Sequence, residues 1–149
     1  MTLIYAIIGD EELLGMDSQS SFEYISKLSG HGYIIDQDIA SITRYFSTRS
    51  YKECLSRCEW ILDFVWEKLN TGNWKDVDDC WRSMYYVTSH YKCICEHRLG
   101  KDLNISMKTC DLGILMGIRP SGWASLTKLA ATFTQMQDNN ISKHFQTGK

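Results

Sequence analysis

The segment from Trp66 to Arg82 constrains the possible folds of this chain more than any other part of the sequence. Asn70 and Gly72 are suited to end a helix, because both residue types tolerate the left-handed backbone conformation that closes one. A group of aspartates follows, and negative charge such as that of Asp76 is favoured in the first turn of a new helix. The segment therefore predicts two consecutive helices that are joined by a short turn.

The three tryptophans of this segment allow two interpretations. Large aromatic rings bury much apolar area, and they can fix the angle between two helices. Tryptophan is also a frequent anchor of binding surfaces, and here the rings lie among polar residues. The candidate corner, whether it is an interaction face or only architecture, comprises Trp66, Glu67, Asn70, Trp74, Lys75, Asp76 and Trp81. We favour architecture, because large rings in a tight turn are usually mostly buried.

Apolar residues recur at helical spacing along most of the chain, which contains one proline, Pro120. This pattern predicts an all-α fold of about six helices. The predicted helices cover residues 36–48, 51–69, 77–99, 104–116 and a last stretch that begins near Ser121 and carries Trp123. Asn104 and Ser121 are the expected N-caps. The helix at 51–69 is apolar on more than one face, so we expect it to be the central one.

The connection between the first two of these helices resembles a tetratricopeptide-type hairpin. Phe46 ends one helix, a short polar turn follows, and Tyr51 opens the next helix. Cys54 is a small residue that allows the two helices to approach closely. No clean 34-residue period is present, so the sequence predicts an irregular stack of antiparallel helix pairs, armadillo-like or tetratricopeptide-like.

The apolar pattern also suggests a division of the chain. Residues 1–35 are expected to form a loosely packed N-terminal helical segment, in which Phe22 and Ile25 indicate a short helix. Residues 36–138 are expected to form the helical-repeat-like domain. Residues 139–149 are expected to be a flexible tail or linker.

Several motifs together resemble the N-terminal helical region of the lysine-specific demethylase 8 family, over roughly residues 36–133. They are the 66–82 segment, the runs Glu53-Cys54-Leu55 and Ile61-Leu62-Asp63, and residues 110–117. Members of that family are JmjC oxygenases, also described as arginyl hydroxylases and peptidases. The resemblance implies Fe(II) and 2-oxoglutarate in a separate catalytic JmjC domain, which is absent from this chain.

The sequence itself offers no catalytic or metal site that we favour. A JmjC iron site uses His-x-Asp/Glu and a second histidine, but the residues two positions after the four histidines are Tyr33, Lys92, Leu99 and Gln146. A zinc site from Cys54, Cys58, Cys93 and His97 is conceivable from the i, i+4 spacing. We favour buried structural thiols, because free cysteine commonly acts as a small hydrophobe. We expect no catalytic residue, cofactor or metal in this chain.

Composition narrows the expected partners. The net charge of -2, with scattered Lys and Arg, disfavours direct nucleic-acid binding. No apolar run approaches about 20 residues, so we expect no membrane span. Cysteine usage indicates a reducing compartment, the nucleus or the cytoplasm.

We expect a non-catalytic protein-interaction domain. It would dock protein segments, such as chromatin- or transcription-associated ones, or its own JmjC domain; a structural or dimerisation module is the alternative.

Overall fold

A computed structural model describes the backbone of residues 9–27, 33–71 and 79–147. Within these ranges the chain forms seven α-helices and no strand. They are α1 (Asp10–Leu14), α2 (Ser18–Lys27), α3 (Tyr33–Ser47), α4 (Tyr51–Asn70), α5 (Asp79–Arg98), α6 (Leu103–Met116) and α7 (Leu126–Thr147). In these ranges no helix is both long and apolar enough to cross a bilayer. The all-α prediction is confirmed.

Successive helices pack side by side as a stack of antiparallel pairs. The α3–α4 connection shows why: Phe46 and Tyr51 meet edge to face, with 6.2 Å between their ring centres. Cys54 is fully buried beneath this turn, and its thiol donates to the Ile42 carbonyl at 3.5 Å. The small-residue contact predicted for this hairpin is therefore confirmed.

The central helix is α5, and the prediction that α4 holds this place is wrong. The helix α5 packs against α4 on one side and α6 on the other, and it also meets α1 and α3. Nearly every residue from Met84 to Glu96 is buried. The helix α4 packs against α3 and α5, but Trp60 and Trp66 on it remain 42% and 43% exposed.

The starts of α6 and α7 differ from the predicted ones. Asp102 caps α6, because its carboxylate accepts the Asn104 N–H at 2.8 Å; Asn104 itself is not the cap. Ser125, not Ser121, precedes α7, and its hydroxyl accepts the Lys128 N–H at 3.4 Å. Trp123 lies before α7 and is fully buried. Apolar spacing placed it on the helix, but it fills the core from the preceding connection.

Glycine at residue 113 lets α5, α6 and α7 approach closely. A Cβ built there would lie 2.7 Å from side-chain carbons of both Ser89 and Leu126. Gly117 closes α6, and its N–H donates to the Gly113 carbonyl at 3.0 Å. Gly113 thus allows close packing, and Gly117 forms the C-terminal cap of α6.

The structure adds detail to the proposed division of the chain. The boundary between residues 35 and 36 falls inside α3, and Leu13, Leu14 and Ile25 are buried in the core. The helix α7 continues through positions 139–147. The loose packing and the flexibility expected for the two ends stay predictions.

Candidate functional site

The candidate corner is only partly within the described residues. Trp74, Lys75 and Asp76 lie outside them. Trp66, Glu67 and Asn70 lie on the last turns of α4, and Trp81 lies on the first turn of α5. Local hydrogen bonds close the end of α4. The Asn70 side-chain amide donates to the Trp66 carbonyl at 2.8 Å, and the Thr71 hydroxyl donates to the Glu67 carbonyl.

Trp66 and Trp81 pack against different rings. Trp66 lies against Tyr85, with 6.3 Å between ring centres, and Trp81 lies against Phe64 at 5.9 Å. Residues two apart on a helix point in nearly opposite directions, so Trp66 and Phe64 occupy different flanks of α4. Trp66 is 43% exposed, which differs from the expected burial of the corner rings. The corner thus presents two separate aromatic surfaces.

The larger of these surfaces includes residues outside the candidate corner. Trp60 stacks on Phe64 with 5.4 Å between ring centres and an interplanar angle of 16°. The Lys68 ammonium lies 5.4 Å from the centre of Phe64 and 5.9 Å from that of Trp81. The spacing of Trp60, Phe64 and Lys68 at i, i+4 and i+8 could have identified this row. We call Trp60, Phe64, Lys68 and Trp81 the Trp60 cluster.

An open groove begins at Trp60 and continues between α3 and α4. Its volume is about 410 Å³, and Tyr45 and Ser56 lie along it with Trp60. Arg57 also borders the groove and pairs with Asp38 at 3.1 Å. The groove and the Trp60 cluster together give an exposed aromatic surface, with Lys68 at one end and the charged residues Lys52, Glu53 and Arg57 along the groove.

The most perturbed histidine is a packing residue. His90 is 1% exposed, and its Nδ1 accepts the Trp123 indole N–H at 3.2 Å. The proton of the neutral ring is therefore on Nε2. The Leu13 carbonyl lies near this ring, but Nε2 does not meet the geometric criteria for a hydrogen bond. Burial lowers the pKa of His90 to about 4. Such a ring stays neutral at pH 7 and has no route to a substrate.

The cysteines are separated into groups on the two sides of α5. Cys54 contacts both Cys58 and Cys95 between α4 and α5. Cys93 contacts Cys110 between α5 and α6, so Cys93 does not join Cys54 and Cys58. The hydrogen bond with Cys58 raises the pKa of Cys54 well above its usual range, and burial raises that of Cys93. These thiols therefore stay protonated and act as core residues, which is the interpretation we favoured.

The donors of the described residues do not form an iron site of the JmjC type. Among the described residues, no group of three or more His, Cys, Asp or Glu side chains is arranged to hold a metal ion. His90 uses Nδ1 for the Trp123 indole, and the His97 ring packs on Phe133 at 5.5 Å. No reaction step can be derived from these residues.

The fold defines an all-helical, armadillo-type domain. The chain belongs to the family described as KDM8-like, N-terminal ARM repeats, whose family model matches residues 16–143. This match confirms the resemblance recognised in the sequence, and it includes the corner, the Trp60 cluster and the α5 core.

Two curated relatives are similar to parts of the chain. Lysine-specific demethylase 8 from Danio rerio is 39% identical over 64 residues, which cover 41% of this chain and 16% of that protein. Lysine-specific demethylase 8 from Xenopus tropicalis is 25% identical over 83 residues, which cover 56% of this chain and 19% of that protein. The chain thus spans less than a fifth of the length of these relatives. No solved structure matches it.

Proposed function

We propose that this chain is a non-catalytic protein-interaction domain that docks a protein segment along the Trp60 cluster and the groove beside it. The single observation that carries the proposal is Trp60, which is 42% exposed although it stacks on Phe64. The stacking already holds the Trp60 side chain in one position. The side chain therefore loses little conformational entropy when a partner binds, which favours binding. Tryptophan is also one of the residue types enriched at binding hot spots.

The shape of the surface supports an extended segment as the occupant. The groove supplies room beside Trp60, with apolar contact from Tyr45 and polar contact from Ser56. At the other end, Lys68 offers a cation over two aromatic rings. Helical stacks bind peptides along surfaces of this kind.

The family supplies the setting for this function. The match is to N-terminal ARM repeats, and the two relatives are named as demethylases. We infer that any Fe(II) and 2-oxoglutarate chemistry belongs to a JmjC domain outside this chain. The docked segment is then either a chromatin- or transcription-associated partner or a surface of that JmjC domain, in the nucleus or the cytoplasm.

A peptide selection tests the proposal directly. The domain is immobilised, binders are selected from a displayed library of random 12-residue peptides, and their affinities are measured by isothermal titration. We expect Trp60→Ala to weaken binding by at least about tenfold, which corresponds to about 1.4 kcal/mol. The matched control is Trp66→Ala, since Trp66 has the same residue type and exposure but lies on another flank of α4.

Two results would contradict the proposal. One is the recovery of no peptide that binds the folded domain. The other is equal binding by the two tryptophan variants, which would separate peptide recognition from the Trp60 cluster. Circular dichroism of both variants shows whether each remains folded.

A structural or dimerisation role is the second candidate, and it rests on α6. Exposed apolar side chains follow one another along this helix and just after it: Ile105, Leu112, Ile114, Leu115 and Ile118. Leu115 is 77% exposed. Sedimentation equilibrium tests this role: a dimer that Leu115→Lys dissociates supports it, and a monomer at about 100 μM, where micromolar dimers would assemble, contradicts it.

A further inference from the structure

A second and larger groove lies away from the Trp60 cluster, between α1, α2 and α3. Its volume is about 1210 Å³. One wall is the outer face of α3, where Ala40, Thr43 and Ser47 present small side chains at helical spacing. Phe22 of α2 forms part of the opposite side and is 55% exposed. Small residues on one side and an exposed ring on the other leave room for a chain segment with a bulky apolar residue.

Hydrogen bonds and ring packing hold the floor of this groove. Tyr51 donates its hydroxyl to Asp10 at 2.6 Å, and the Nε of Arg98 donates to the other carboxylate oxygen of Asp10 at 2.7 Å. Burial and then the bond to Asp10 raise the pKa of Tyr51 to about 12, so this hydroxyl stays protonated. Phe46 packs edge to face on Tyr91, with 4.9 Å between ring centres. The charge of Asp10 is thus compensated within the floor.

Two arginines lie at the rim outside these ion pairs; the Arg44 guanidinium lies 5.4 Å from the centre of the Tyr45 ring. Arg44 and Arg49 both line the groove and are exposed. The ion pairs found among the described residues join Arg57 with Asp38 and Arg98 with Asp10. Neither pair uses the rim arginines. Glu11 is an exposed acidic residue of the lining, so the rim has a local excess of positive charge although the whole chain is at -2.

Arg49 occupies the left-handed position that ends α3, where glycine is the usual residue. Three helices end in the same hydrogen-bond pattern, and the residues at the left-handed position are Gly15, Arg49 and Gly100. For α3, the Ser50 N–H donates to the Tyr45 carbonyl and the Arg49 N–H to the Phe46 carbonyl. Arg49 has φ of +59°, the only positive value at a non-glycine among the described residues. A side chain at such a position costs conformational energy, and strained residues of this kind are frequent at functional sites.

We propose that this groove binds an acidic peptide segment of a partner protein, with carboxylates on Arg44 and Arg49 and an apolar residue against Phe22. Arginine suits this role because its planar guanidinium binds a carboxylate through two parallel hydrogen bonds. The inference shares with the proposed function only the premise that the domain binds protein segments, and it uses a different groove, whose lining has no residue in common with that of the first.

Fluorescence anisotropy tests the inference with a defined probe. The probe is a fluorescein-labelled 12-residue peptide in which Glu alternates with Phe and Leu. We expect saturable binding that weakens as NaCl is raised, because exposed charges are screened. Replacing each Glu of the probe with Lys should abolish binding.

Arg49→Gly is the decisive variant, because it cannot act by unfolding the helix end. Glycine adopts the left-handed conformation without strain, so the thermal midpoint should be unchanged or higher. The probe should bind about tenfold more weakly, as expected for the loss of one charge-assisted contact. Arg44→Ala should have a similar effect, and the double variant should lose more.

The controls separate this site from the first one. Arg57→Ala removes an exposed arginine outside the groove, and Trp60→Ala alters the Trp60 cluster; both should bind the probe normally. Loss of probe binding in Trp60→Ala with normal binding in Arg49→Gly would overturn the inference and leave the proposed function standing. Absence of saturable binding below about 1 mM would overturn it as well. So would equal, Arg49-dependent binding of a 12-residue oligothymidylate, which would assign the groove to nucleic acid.

Discussion

The buried His90 makes the stability of this domain depend on pH. Its pKa is about 4 in the folded chain, because burial disfavours the charged ring, and it returns to about 6.5 on unfolding. Between these values the unfolded chain binds a proton that the folded chain does not bind. Stability from this residue is therefore fully present above pH 6.5 and is lost as the pH falls through 4.

The size of the effect follows from the pKa difference. The difference between a pKa of about 4 and one of about 6.5 corresponds to about 3.4 kcal/mol in total, of which about 2 kcal/mol is lost by pH 5. This is a large part of the 5–15 kcal/mol that is typical of a domain. Protonation also forces the ring to release the Trp123 indole, since Nδ1 can then no longer accept its hydrogen bond.

Urea unfolding at pH 7, 6, 5 and 4, followed by circular dichroism, measures this dependence. His90→Asn should lower stability at pH 7 but flatten the pH profile by about 2 kcal/mol between pH 7 and 5. Its amide oxygen can still accept the Trp123 N–H. His97→Asn is the matched control: burial lowers the pKa of His97 too, but this ring is less buried, so its effect should be smaller.

Comparing the wild type with His90→Asn separates the effect of His90 from that of the other groups that titrate in this range. Burial raises the pKa of Glu96, which stabilises the folded chain as the pH falls and so acts in the opposite direction. If the wild type and His90→Asn lose the same free energy of unfolding from pH 7 to 5, the reasoning about His90 is refuted.

Three further predictions concern packing and helix ends. Gly113→Ala should lower the free energy of unfolding by about 1–3 kcal/mol in urea titration, because the new Cβ would lie 2.7 Å from side-chain carbons of α5 and α7. Asp102→Ala should cost about 1 kcal/mol, since the Asn104 N–H loses its partner; Asp102→Ser should restore most of it. A thiol reagent such as DTNB should react first at Cys80, the only cysteine that is not fully buried, and with the others only after unfolding.

Local sequence rules were sufficient for the all-α fold and for the approximate positions of most helices. The α3–α4 hairpin could be predicted because its features are adjacent in the sequence: Phe46, the polar turn, Tyr51 and Cys54. The end of α5, predicted at residue 99 and found at Arg98, lies next to Gly100, whose φ of +79° closes the helix. Each of these features depends on residues within a few positions of one another.

The predictions that failed concern features that depend on contacts between distant parts of the chain. The periodicity of α4 shows apolar residues on several faces, but it cannot show whether another helix covers them. Neighbouring helices bury nearly all of α5, whereas Trp60 of α4 remains exposed. Trp123 has helical spacing, yet its indole is held by His90, which is 33 positions away in the sequence. The corner was treated as one site because its tryptophans are close in sequence, whereas the two flanks of α4 separate Trp66 from Phe64.

Both proposed binding surfaces lie where local rules and the structure disagree. A tryptophan on an apolar helix is expected to be buried, but Trp60 is ordered by stacking and left open. A helix end in the left-handed conformation is expected to carry glycine, but α3 carries Arg49. A sequence that specifies one fold keeps such conflicts few, and functional sites are where they are tolerated. Relieving each conflict by Trp60→Ala or Arg49→Gly should therefore leave the fold intact and remove binding at one face only.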